Sequence, residues 1–236
     1  MLFSDDSVAR FINSNFEPVW QSVRPVPLVH IDFGNGNSLT RTLNGNIATH
    51  VCTADGLLMD TIPGIYIPTV YLQQLNQFRL LANYIDQEGK VSRESRLCDY
   101  HRRCAAALHA KAVPPHLVNV APITKARIEG GLKAVLVSNG GAAKEWPSLD
   151  TNAPKPKLAS AEDLAGWSAL AEDTHMNETV RRLQIHEKLA EAGLVPPERL
   201  TRWLYKNVLH ADLDDPYLGL GPVLFASYPF NDPVHE

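Results

Sequence analysis

The chain has 236 residues, 44% of them hydrophobic, enough for one large domain or two small ones around a proper core. A net charge of −4 offers no global field to nucleic acid or an anionic membrane, and no apolar run of about 18 residues marks a membrane span. Three cysteines do not make a disulfide framework, and Met1-Leu2-Phe3-Ser4-Asp5-Asp6 has neither the basic start nor the apolar stretch of a signal peptide, so the expected setting is a reducing cytoplasm.

In chain order, Ser4 and Asp5 can cap a short helix whose Val8, Phe11 and Ile12 share one face. Residues 16–23 and 28–33 read as strands, the second ending in Gly34-Asn35-Gly36-Asn37, a hairpin turn from which 38–43 returns. Residues 47–53 and 57–62 make the next hairpin, around Asp55-Gly56. Pro68 suits the first turn of a helix, where its missing N–H would be unpaired anyway, and Tyr71, Leu75, Phe78, Leu81 and Ile85 recur at helical spacing. A second helix is expected over 92–111, with Leu97, His101, Cys104, Ala105 and Leu108 on one stripe, ended by Pro114-Pro115. Residues 117–137 hold two short apolar stretches around Gly130-Gly131, and 139–160 reads as a loop or linker. Residues 161–192 look helical with a break near Asp173, and a last helix starts at Pro196-Pro197. The tail from Leu213 to Phe230, rich in aromatics, Pro and Gly, needs burial; it is expected to cover the body, with exchange between two copies as the alternative.

Phe3-Ser4-Asp5-Asp6, Val8, Ile12-Asn13, Phe16 and Pro18-Val19, followed by Asp55-Gly56, Pro63-Gly64 and the helix from Pro68, resemble the middle and end of a thioredoxin-like domain. The resemblance covers about the first third of the chain, residues 1–88. It implies that the first strand and the Cys-x-x-Cys turn precede this helix in relatives, whereas here the chain begins after them. Ala48 stands in the slot of the cis-proline, with Thr49 following, and no Cys-x-x-Cys occurs anywhere. Disulfide exchange needs an attacking thiol of low pKa and a resolving thiol beside it, and neither can be placed.

The densest chemistry is Cys98-Asp99-Tyr100-His101-Arg102-Arg103-Cys104, where Cys98 to His101 and His101 to Cys104 are each one helical turn. His50 and Cys52 are two apart on a predicted strand and point to one face. If strand and helix met, His50, Cys52, Cys98, His101 and Cys104 would suit zinc or another thiophilic metal. Against this, His101 and Cys104 lie on the apolar stripe, free cysteine is commonly buried, and Cys98 and Cys104 differ by about 120° around the helix. Cys52 with His50 or His101 as base would make a nucleophile. Gly34-Asn35-Gly36-Asn37 is a turn and lacks the ending of a phosphate loop. His175 and Glu178 could bind a metal from one helical face, with His186 about three turns from His175, but His-Glu-x-x-His is absent and a charged helix with its arginines outside explains them as well. Asp212, Asp214 and Asp215 do not follow the EF-hand pattern.

The expectation is therefore an α/β protein: a partial thioredoxin-like sheet (1–88), a mixed extension (89–138), a linker (139–160), and a helical C-terminal region with a wrapping tail (161–236). Its expected role is a redox-inactive interaction or scaffold module that binds a protein partner or itself, needs no cofactor, and contacts neither nucleic acid nor membrane. The rival is a metal- or thiol-dependent enzyme using the Cys/His set.

Overall fold

Asp5 stops the chain in an extended conformation and accepts from the amides of Ser7 (2.9 Å) and Val8 (3.1 Å), which starts helix α1 (Asp6–Asn15). The computed structural model to which this helix belongs describes residues 2–25, 27–42, 47–87, 89–112 and 161–222. The expected segments 117–137 and 139–160, and the tail residues Leu224, Phe225, Tyr228 and Phe230, lie outside them.

Residues 16–23, expected as a strand, are irregular. A strand exists only through its ladder, and this stretch pairs with neither hairpin. Strands β1 (Leu28–Asp32) and β2 (Ser38–Thr42) pair antiparallel from Leu28↔Thr42 to Asp32↔Ser38. Gly34 and Gly36 take the positive φ values of +71° and +84° that their turn requires. Strands β3 (Ala48–Cys52) and β4 (Leu58–Pro63) form the second hairpin, with a bulge at Val51/Cys52. Among the described residues the strands thus form two separate two-stranded sheets, and the single sheet expected of the N-terminal third is not seen. The α/β mixture holds at the coarse level of helices with small antiparallel sheets.

Every residue of β4 is buried, because helices cover both of its faces. Met59 and Ile62 join a core with Tyr71, Phe78 and Leu81 of α2 (Pro68–Ile85) and Leu97 of α3 (Arg93–His109). Leu58 joins a second core with Ile185 and Leu189, continued by Leu200, Leu204 and Val208.

The helix after residue 160 does not break near Asp173. Helix α4 (Ala161–Met176) passes through one π turn (Asn177–Arg181) directly into α5 (Arg182–Ala192). An α-helix would turn residues five apart about 140° away from each other. The wider turn instead keeps both Asn177 and Arg182 buried against the body, with Asn177 Nδ2 donating to Ile65 O at 3.0 Å. α5 packs along α3 and against β4. Helix α6 (Glu198–Trp203) runs into a second π turn (Leu204–Val208). The described part of the tail does lie on the body: Leu218 is buried, and Arg24 donates to the carbonyls of Asp215 (2.6 Å) and Pro216 (2.8 Å). Among the described residues no helix is long and apolar enough to cross a membrane.

Candidate functional site

Ser92 starts α3 by accepting from the Ser95 amide at 3.1 Å, and the helical period then carries Leu97, His101, Cys104 and Ala105 to the buried face. His101 reaches β4, where its Nε2 lies 2.9 Å from Met59 O. A carbonyl only accepts, so Nε2 carries a proton, and in the neutral ring Nδ1 then carries a lone pair. That lone pair faces His186 Nδ1, across from it on α5, at 2.8 Å. With both rings neutral, the form burial favours, the contact closes with His186 donating from Nδ1. Burial pushes both imidazoles below their ordinary pKa, and for His186 the Arg182 charge and the His101 ring add to the effect. Tyr100 stands edge-on to the two rings, its centroid 5.1 Å from His101 and 6.1 Å from His186.

One turn before His186 on the same helical face, Arg182 forks onto Asp60 of β4, with Nη2 2.9 Å from Oδ2 and Nη1 on Oδ1. Nη1 also donates to Thr61 O (2.8 Å), and the Thr61 amide donates to Asp60 Oδ1 (2.7 Å). The guanidinium lies 5.4 Å from the centre of the Phe78 ring. Burial opposes the Arg182 charge, but the Asp60 carboxylate overrides it and holds the guanidinium protonated. Glu178, in the π turn, accepts from Gln74 Nε2 at 2.6 Å, and its carboxyl and the buried Tyr66 hydroxyl act on each other. Burial raises the Glu178 carboxyl pKa, and Arg182 offsets only part of that.

Of the expected set His50, Cys52, Cys98, His101 and Cys104, only His101 belongs to the one group of three or more His, Cys, Asp or Glu side chains that converge among the described residues; His186, weighed separately on its helix, belongs to it as well. That group is Asp60, His101 and His186, whose ligand atoms lie within 4.8 Å of one another. His50 is hydrogen-bonded through Nδ1 to Thr61 Oγ1 (2.9 Å), and Cys52 packs against the second core. Burial and the negative field of Glu198 both push the Cys52 thiol up, the reverse of what a nucleophile needs. Burial likewise lifts Cys104, to about 12. Cys98 is half-buried, and all three cysteines are free. The arginines of the C-terminal helix are not all outside, since Arg182 is only 4% exposed. Two sequence signals point to the cluster in retrospect. Asp60 is a lone acid in the apolar run Leu57-Leu58-Met59-Asp60-Thr61-Ile62, and Arg182, Ile185, His186 and Leu189 share one helical face.

Comparison of the chain with protein-family models, with curated proteins and with solved structures finds no match. The surface offers a shallow groove of roughly 300 Å³ lined by Gln184, Glu187, Lys188, Glu191, Trp203 and Asn207, none of them part of the buried cluster.

Proposed function

We propose that the chain is a non-catalytic interaction module, a redox-inactive relative of thioredoxin-like proteins, and that it docks through its first hairpin and the segment before it. One observation carries this reading. Among the described residues, seven of the thirteen exposed large hydrophobics fall within residues 19–39, among them Val19 (92% exposed), Trp20 (84%), Leu28 (68%) and Phe33 (59%). Exposed large hydrophobics gathered in one stretch of chain suit an association site.

The hairpin register supports a two-sided reading. Ile31 sits opposite Leu39, placing two exposed apolar side chains together with Val29 on one face of the pair. The other face carries His30 and Thr40, joined at 2.9 Å. Among the described residues both edges of this hairpin are unpaired, so a second strand could add to either. By contrast, Asp60, His101, Cys104 and His186 are buried, and His50, Cys52 and Cys98 are half-buried. The free thiols suit a reducing compartment.

The partner chemistry that fits is another apolar β surface, of which a second copy of the hairpin is the simplest. Sedimentation velocity over a wide concentration range, with hydrogen exchange on β1 and β2, tests this. Reversible dimerisation that protects the hairpin amides, and that Ile31→Asp with Leu39→Asp abolishes, supports the reading. A monomer at every concentration, with hairpin amides exchanging at the rate of an open loop, counts against it.

A further inference from the structure

We propose that Asp60, His101 and His186 bind one first-row divalent cation, zinc before others, in the core between β4, α3 and α5. This goes beyond the docking reading, which concerns the surface. The three side chains come from three elements and bring their ligand atoms within 4.8 Å of one another. A metal-bound histidine commonly donates its second ring N–H to a carbonyl, which fixes the ring and the free lone pair. His101 has that arrangement: Nε2–H is held by Met59 O and Nδ1 points at His186. Two nitrogens at about 2.05 Å from a tetrahedral zinc are about 3.3 Å apart. The observed 2.8 Å therefore has to open by about half an ångström, with His186 moving its proton from Nδ1 to Nε2.

Asp60 is the third ligand on a count of its lone pairs. Oδ1 is filled by Arg182 Nη1 and the Thr61 amide, whereas Oδ2 accepts only from Arg182 Nη2 and keeps one lone pair to give. Arg182 is the obvious objection, since a guanidinium beside a dication is repulsive. It serves two carboxylates, however: Asp60 through its fork and Glu178 through space. With both ionised the cluster carries one negative charge beyond what Arg182 neutralises. A cation supplies the missing positive charge. The histidines and carboxylate favour zinc or cobalt over calcium or magnesium, which prefer oxygen ligands throughout.

The test uses the full chain, stripped with a strong chelator, checked for native near-UV circular dichroism and titrated with Co²⁺ and then Zn²⁺. Expected are visible d–d bands that saturate near one Co²⁺ per chain and are displaced by Zn²⁺, and a higher melting temperature with zinc. Cys104→Ser is expected to keep both responses, and His186→Gln to lose them. Should His186→Gln fail to fold, imidazole ¹⁵N shifts of the wild-type chain decide: zinc must move the Nδ1 signals of His101 and His186 together. Folded protein that takes up no Co²⁺, uptake that survives His186→Gln or disappears in Cys104→Ser, or Nδ1 signals indifferent to zinc would overturn the proposal.

Discussion

Removing one partner of the Asp60–Arg182 pair is expected to be the most damaging single change in the core. Both side chains are buried and joined by a fork, so each single substitution strands a charge that water cannot reach. Breaking a buried pair in this way costs about 3–5 kcal/mol. Arg182→Met leaves the Asp60 carboxyl without its guanidinium partner, and Asp60→Leu leaves the Arg182 charge with only the Glu178 field. Removing both charges together strands none. The double variant then loses the two bonds to Thr61, one at its amide and one at its carbonyl, and an unsatisfied buried group costs about 1–3 kcal/mol. The two singles thus sum to about 6–10 kcal/mol, against about 2–6 kcal/mol for the double. Urea unfolding of the four proteins, followed by circular dichroism in the presence of chelator, gives the coupling energy directly. Singles costing under about 1 kcal/mol each, or a double equal to their sum, would refute the reasoning.

Three further outcomes are expected. The raised Glu178 carboxyl contributes stability that is complete below the unfolded value near 4.5 and is lost as pH rises through its higher folded value. Glu178→Gln should therefore gain on the wild type as pH rises, by at most about 1.4 kcal/mol per pH unit, and a gap that stays flat with pH speaks against this. With Cys104 at about 12 and buried, alkylation of that thiol at neutral pH should proceed only at the rate of global unfolding, read by mass spectrometry beside an unfolding trace; faster labelling would mean an open path to it. Gly64 has φ +72°, and a Cβ there would come within 3.0 Å of Asn177 Nδ2, whereas Gly56, at φ +80°, faces open space. Gly64→Ala should accordingly lower the melting temperature more than Gly56→Ala, the shared backbone strain being about 1–2 kcal/mol; equal shifts would show that the Asn177 contact does not matter.

Local chemistry was legible from the chain alone. Asp5 as a cap, Gly34 and Gly36 in their turn, Gly56 in the second, Pro68 at the start of α2 and the buried face of α3 all depend on neighbours within a few residues. The start of α2 also shows where that legibility ends. Its first turn has no local side-chain cap, and the Ile67 amide is instead met by Thr174 Oγ1 at 3.0 Å, from 107 residues away. Residues 16–23 have the composition of a strand but find no partner strand, and pairing is a property of two segments. The helix from 161 goes on where a break was expected because Asn177 and Arg182 are held by β4 and the loop after it. The cluster is the clearest case. His101 was visible on its helical stripe, but Asp60 meets Arg182 across 122 residues and His101 meets His186 across 85. Periodicity tells which face of an element turns inward; which polar groups meet there depends on how β4, α3 and α5 pack, because burial makes each of those groups require a partner that only the folded chain can bring.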